Sequence, residues 1–155
     1  VSLYIQAEKP PAFGELILHR IMPSRLDHKA ELIDELVAHL TESGWVERSE
    51  EHWLTLCLDE VVVNAMLHGN EGEPTLEVEL RLWGQDEYWI LQVDDRGEGF
   101  HREQVPDPDD DSSLLLEHGR GILIMQQWLD ELRYYRGGSC AVLIRRKHDQ
   151  QEREA

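Results

Sequence analysis

Glu60 and Asn64 stand four residues apart in an otherwise apolar run, Trp53 to Asn70, WLTLCLDEVVVNAMLHGN. On a helix advancing about 100° per residue, Trp53, Leu56, Cys57, Val61, Asn64 and Leu67 fall on the Glu60 side, while Thr55 and Asp59 mark the wetter one. Both oxygen-bearing side chains are therefore expected on a buried face, one turn apart and aimed at the same thing. A carboxylate buried without partners would protonate or acquire a cation and hydrogen bonds. Further on, an apolar strand pattern (Tyr88, Ile90, Val93) runs into Asp95-x-Gly97-x-Gly99. A carboxylate is delivered at a strand end, followed by two residues able to adopt backbone shapes closed to others. Lastly, Glu117-His118-Gly119-Arg120-Gly121 precedes a helical run, ILIMQQWLDEL. Glycines there permit close backbone approach, and the helix N-terminus offers free N–H groups to a phosphate.

Each piece alone has a plainer explanation. A Glu/Asn pair can be tied to a neighbouring helix, and Asp with Gly is what a turn demands. Taken in order, however, Glu60-x-x-x-Asn64, Asp95-x-Gly97-x-Gly99 and Gly119-Arg120-Gly121 resemble the N, G1 and G2 boxes of the GHKL ATPase superfamily. Within it, the short chain and the wording Leu-Leu-Leu-Glu-His-Gly-Arg-Gly-Ile look most like the anti-sigma factor serine-protein kinases. The resemblance implies an ATP-dependent serine/threonine protein kinase that binds a sigma factor and phosphorylates an anti-sigma factor antagonist. By matching positions, Glu60 would be the general base and Asn64 a ligand of Mg²⁺, a hard cation that keeps several waters. Asp95 would accept the adenine amino group, with Gly97 and Gly99 giving the ring room. Gly119 and Gly121 would contact phosphates, Arg120 would offer a charge to the γ-phosphate, and Ser139 would join the water network at the adenine. The family also implies a Bergerat-type ATP-binding fold and a homodimer, to which the first strand and helix could offer an edge.

The bulk numbers set limits. At 155 residues the chain fits one domain, able to bury about two-thirds of its unfolded surface. With 15 basic against 32 acidic residues, the formal charge of −17 disfavours nucleic acid or an anionic membrane as a direct partner and favours a basic protein. No stretch has the length of a membrane span, and no signal segment opens the chain, so a cytoplasmic location is expected. A chain that opens on Val1 is expected to have been trimmed, or excised from something longer. Cys57, inside the apolar helix, is expected to be a small buried side chain rather than a disulfide partner or metal ligand.

The elements that must position these residues follow from pattern. Val1 to Ala12, with Lys9-Pro10-Pro11, reads as a loosely attached arm and residues 148–155 as a polar, frayed tail, and the resemblance implies that residues 13–147 are the ATP-binding domain. Glu15 to Met22 is expected to be a strand. Ser24 is expected to cap a first helix that Ser43-Gly44 ends, and Ser49 to cap the Glu60 helix, which closes at Gly69-Asn70. Thr75 to Trp83 alternates strictly, with Leu76, Val78, Leu80 and Leu82 on one face and Glu77, Glu79 and Arg81 on the other. One wet face favours an antiparallel sheet. Gly84-Gln85-Asp86 should turn the chain into the next strand, and Gly137-Gly138 should form a two-residue hairpin between Arg133–Arg136 and Ser139–Arg146. The aspartate-rich run from His101 to Ser113 is either a solvated loop or a lid over the ligand. The order of elements suggests a two-layer α/β sandwich, with a mixed, mostly antiparallel sheet and the helices on one face.

Two other functions fit the same residues. The ATP site could gate a protein-binding module without kinase activity, cut from a larger phosphatase or sensor protein. Alternatively, the site could be degenerate and the domain an interaction scaffold.

Overall fold

Apolar residues at every second position give strands one apolar face, and apolar residues at helical spacing give helices a stripe to cover it. The computed structural model describes residues 4–97 and 119–147. It runs through β1 (Tyr4–Ile5), β2 (Glu15–Pro23), α1 (Lys29–Glu42), α2 (Glu51–Val63), a π-helical turn (Asn64–Gly69), β3 (Glu77–Gln85), β4 (Tyr88–Asp94), α3 (Gly119–Trp128), β5 (Glu131–Tyr135) and β6 (Cys140–Arg146). The strands form one sheet in the order β1-β5-β6-β4-β3-β2. Its pairings are antiparallel except for the parallel pair β1–β5. Val78, Leu80 and Leu82 of β3, Leu91 and Val93 of β4 and Leu143 of β6 are buried with Leu36 and Leu40 of α1 and Leu54, Leu58 and Val62 of α2. At about 1.5–3 kcal/mol for each fully buried side chain of this size, that shared layer fixes which way α1 and α2 face. The expected two-layer α/β sandwich with a mostly antiparallel sheet is the fold of this chain.

The far face of the sheet is drier than strict alternation in β3 implies. Ile90, Gln92 and Asp94 of β4 are all buried. Phe13, Tyr135, Val142 and Ile144, with Trp83 beside them, make a second apolar cluster around Ile90. The polar residues there bond one another, with Asp94 Oδ1 left without a hydrogen-bond partner among the described residues. Trp83 Nε1 donates to Gln92 Oε1 (3.1 Å), Gln92 Nε2 donates to Asp94 Oδ2 (2.8 Å), and Arg81 Nη1 reaches the same oxygen at 3.3 Å.

Several boundaries differ from expectation, each for a local reason. Ser24 does not cap a helix: its hydroxyl donates to the Leu76 carbonyl (2.7 Å), and the chain enters α1 through a tight turn at Leu26–His28. Ser49 lies within a similar turn, Arg48–Glu50, with its hydroxyl on the Glu47 carboxylate, and α2 begins at Glu51. Gly84 remains within β3, and the chain turns at Asp86-Glu87, with Gln85 opposite Tyr88 and Asp86 at φ +52°. The Gly137-Gly138 connection is four residues long, since Tyr135 pairs with Cys140. It widens because it receives the N-terminal arm: Arg136 N–H donates to Glu8 O (2.9 Å) and Gly137 N–H to Gln6 O (2.8 Å). Together with the β1–β5 pairing, these bonds attach Tyr4 to Glu8 to the sheet edge, where a loose arm was expected. Finally, α3 ends at Trp128, and Glu131 already belongs to β5, because Leu132 is needed opposite Leu143 in the core.

A polar pin fixes the helices at the end remote from Asn64. The Arg145 guanidinium of β6 stacks 4.1 Å from the centroid of Trp128, donates to the Trp128 carbonyl, and pairs with Glu50 at the start of α2. Trp128 Nε1 also donates to Glu50 Oε2 (3.1 Å). The entrance of α2 and the exit of α3 are thereby tied to one strand, which leaves their other ends to define a site.

Candidate active site

α2 carries Glu60 and Asn64, and its orientation differs from the sequence expectation. The buried set is Leu54, Cys57, Leu58, Val61 and Val62, continuing into Ala65 and Met66. Trp53 and Leu67, expected beside Glu60 on a buried face, are 41% and 40% exposed. The helix buries a side centred close to Leu54, from which Glu60 stands roughly 130° and Asn64 roughly 90° around. Glu60 and Asn64 are consequently half-buried, on the helix flank rather than beneath it. The flank is where a carboxylate can be reached by a ligand. Glu60 lies near Cys57 and Tyr134 and adds to the effect of burial on both, with the Cys57 thiol pushed up to about 12 and the Tyr134 hydroxyl raised. Cys57 is a free, buried cysteine and chemically quiet.

At Asn64 the helix widens. Asn70 N–H reaches back five residues to Ala65 O (2.9 Å), the spacing of a π turn. Such turns are rare overall and frequent at functional sites. Here the extra width brings Gly69 against the end of β4. A Cβ on Gly69 would overlap the Asp95 carboxylate, and a Cβ on Gly97 would overlap the Gly69 carbonyl. Close packing against Gly69 thus demands a glycine at 97, in addition to any room it gives a ligand.

Asp95 follows β4 and is 9% exposed. Its Oδ1 accepts the Gly97 N–H (2.8 Å), and its own N–H donates to Ser139 O (2.8 Å). Burial raises its pKa from 3.8 to about 6, opposed by the Gly97 hydrogen bond and assisted by the neighbouring charge of Asp94. The carboxylate is therefore mostly ionised at neutral pH yet poorly solvated, an acceptor that gains from a donor brought to it. Asp94, its neighbour in sequence, belongs to the far face and is spent on Arg81 and Gln92. Ser139 is buried beside Asp95, through its backbone carbonyl, and its hydroxyl donates to Arg136 O (3.3 Å).

Gly119, Arg120 and Gly121 lie in α3, which packs against the Glu60 helix. Gly99 and the run from His101 to Ser113 lie outside the described residues.

Sequence reasoning missed Asn70 and Gly69. Both were read as the close of a helix, and Ser24 as a cap. The structure joins all three to the Asp95 turn, with Asn70 Oδ1 accepting the Arg96 N–H (2.7 Å) and Asn70 Nδ2 donating to Ser24 Oγ (2.8 Å). Asn70 opens the polar run Asn70-Glu71-Gly72-Glu73-Pro74-Thr75, so nothing in the sequence sets it apart from an ordinary loop residue.

The donor set fits an adenine nucleotide. A buried carboxylate suits an exocyclic amine, and glycines at a helix start suit phosphate. Among the described residues, no group of three or more His, Cys, Asp or Glu side chains is placed to hold a metal ion. Glu60 and Asn64 supply oxygen side chains one turn apart, so a cation beside them would draw its other ligands from phosphate and water, which is how Mg²⁺ is usually bound. No helix among the described residues is long and apolar enough to cross a membrane.

A helix-borne Glu/Asn pair, a buried aspartate at a strand end and a glycine-led helix over a mostly antiparallel sheet define an ATP-binding domain. The family model described as a histidine kinase-like ATPase domain matches residues 22–147, and the chain belongs to that family. The resemblance to the GHKL superfamily is supported at this level, and with it an ATP-dependent phosphotransferase or ATPase type of domain. Comparison with curated proteins returns no match.

Proposed function

We propose that this domain is an ATP-dependent serine/threonine protein kinase acting as a cytoplasmic anti-sigma factor, which binds a sigma factor and phosphorylates an anti-sigma factor antagonist. The observation that carries the proposal is the Asp95 carboxylate, buried between Gly69 and Gly97 at the end of the helix that bears Glu60 and Asn64. Asp95 accepts the adenine amino group and so orients the triphosphate toward that helix. Asn64 offers its side-chain oxygen to Mg²⁺, which when bound offsets phosphate charge and holds the phosphates in line. Glu60 takes the proton of the acceptor hydroxyl as its oxygen bonds to the γ-phosphorus and the bond to the ADP oxygen breaks. Gly119, Gly121 and Arg120 line the phosphate side. The acidic surface, −17 overall, suits basic protein partners. β2 lies at the sheet edge with Leu16 and Ile21 about half exposed, which supports assembly as a homodimer.

A second function has one observation in its favour. Glu60 lies near buried Tyr134 and is already engaged, as a structural member of the site would be. In that case the domain is a nucleotide-gated binding module. Transfer of labelled γ-phosphate from ATP to a serine or threonine of a co-encoded antagonist protein tests the proposal directly. Transfer that requires Glu60 supports the kinase, and ATP binding with no transfer to any such protein selects the module.

A further inference from the structure

Asn70 is 1% exposed and spends every polar group it has. Its backbone N–H closes the π turn on Ala65 O (2.9 Å), and its carbonyl accepts the Glu73 N–H (3.0 Å). Its Nδ2 donates to Ser24 Oγ (2.8 Å) and Glu77 O (3.1 Å), and Ser24 in turn donates to Leu76 O (2.7 Å). Its Oδ1 accepts the Arg96 N–H (2.7 Å). One carboxamide thus links the end of β2, the start of β3, the end of the Glu60 helix and the turn after β4. The arrangement requires a donor on one side and an acceptor on the other, which Asn supplies and Asp or Leu does not.

Arg96 is the middle of three successive backbone N–H groups, each held by a different acceptor. Asp95 N–H is held by Ser139 O, Arg96 N–H by Asn70 Oδ1, and Gly97 N–H by Asp95 Oδ1. The last bond sets the direction of the Asp95 carboxylate, and it depends on the orientation of the peptide planes before it. From this geometry we infer that Asn70 is a positioning residue for nucleotide recognition, holding the Arg96 peptide so that the Asp95 carboxylate faces the adenine edge, with Ser24 as its anchor. The inference rests on the ATP reading of Asp95 given above.

A double-mutant cycle tests it, with ATP affinity measured by calorimetry on the full chain, the parent beside Asn70→Ala, Asp95→Asn and the pair. If Asn70 acts through Asp95, Asn70→Ala weakens ATP roughly ten-fold in the parent background and less than about two-fold once Asp95 is Asn. Equal losses in both backgrounds would overturn the inference, since a merely structural Asn70 has no reason to couple to Asp95. Ser24→Ala is the gentler variant, expected to weaken ATP about three-fold with the same coupling; full parental affinity in it overturns the anchor role. Amide exchange supplies an arm that needs no nucleotide. The Arg96 amide should be protected in the parent and exchange at least about ten-fold faster in the Asn70 or Ser24 variant, while Leu91 and Leu143 stay unchanged. An unprotected Arg96 amide in the parent would refute the clamp. Failure of the parent to bind ATP would instead refute the nucleotide reading, with the Arg96 amide deciding the clamp by itself.

Discussion

Gly69 sits directly behind the Asp95 carboxylate: a Cβ on residue 69 would lie 2.8 Å from Asp95 Oδ1 and nearer still to Cγ and Oδ2. The last residue of the π turn and the first residue after β4 are therefore one packing unit. The helix that carries Glu60 and Asn64 cannot shift without moving Asp95.

Gly69→Ala is accordingly expected to fold but to bind ATP at least about ten-fold more weakly. The added methyl overlaps the Asp95 carboxylate and turns it off the Gly97 N–H, and a turned carboxylate no longer faces the adenine. Calorimetry beside a thermal melt checks it. Unchanged affinity in a folded variant would mean that the carboxylate direction is irrelevant to binding.

Asp95→Asn keeps the Oδ1 acceptor for Gly97 but removes the charge offered to the ligand. ATP binding should weaken by about 1.5–3 kcal/mol, the range for a charged hydrogen bond. Should calorimetry give the parental affinity, the adenine assignment of Asp95 is wrong.

The raised pKa of Asp95 also makes two pH predictions. The folded chain holds this proton up to about pH 6, whereas a model aspartate releases it near 3.8. Its contribution to stability is therefore fully present below pH 3.8 and lost as pH rises through about 6. Measured by denaturant unfolding, the stability of the parent relative to Asp95→Asn should fall by on the order of 3 kcal/mol between pH 3.5 and 7.5. ATP affinity should move oppositely, weakening below about pH 6 as the acceptor protonates. Asp95→Asn serves as control, since the nucleotide's own phosphate titration is common to both proteins. Parallel profiles for parent and variant would exclude Asp95 as the titrating group.

Glu60→Gln separates binding from chemistry, because it keeps the size of the side chain and cannot take a proton. Phosphoryl transfer to the antagonist should fall by roughly 10²–10⁴-fold with ATP affinity within a few-fold of the parent. Asn64→Ala should weaken both, having lost an oxygen ligand for the cation. Parental transfer rates in Glu60→Gln would rule out the base; equal loss of ATP in both variants would make Glu60 structural.

Assembly can be read by sedimentation at micromolar concentration with and without ATP. A species near twice 18.1 kDa is expected. A monomer under both conditions would remove the homodimer.

Some of this protein is written in its sequence because the physics is local. Alternation in β3 and helical spacing in α1 and α2 follow from which side chains must leave water, and Leu80 or Leu58 carries that information alone. Asp95 and Gly97 were likewise legible as a turn at a strand end, although the close approach of Gly97 to the Gly69 carbonyl belongs to the tertiary structure. Orientation was not. Glu60 was placed on a buried face because apolar neighbours surround it in sequence, but only the packed sheet decides that Leu58 faces inward and Glu60 lies on the flank. Dryness on the far side of β4 depends on Phe13 and Tyr135 arriving from distant segments. Ser24 and Asn70 illustrate the limit best. Each has a sufficient local explanation, as a cap and as a helix end, and a propensity describes what a residue does with its nearest neighbours. Their bonds cross 46 residues to one another and a further 26 from Asn70 to Arg96. Only a tertiary structure that buries Ser24 and Asn70 and brings the Arg96 N–H to them removes the water that would otherwise satisfy them, leaving each polar group to find its partner in the protein.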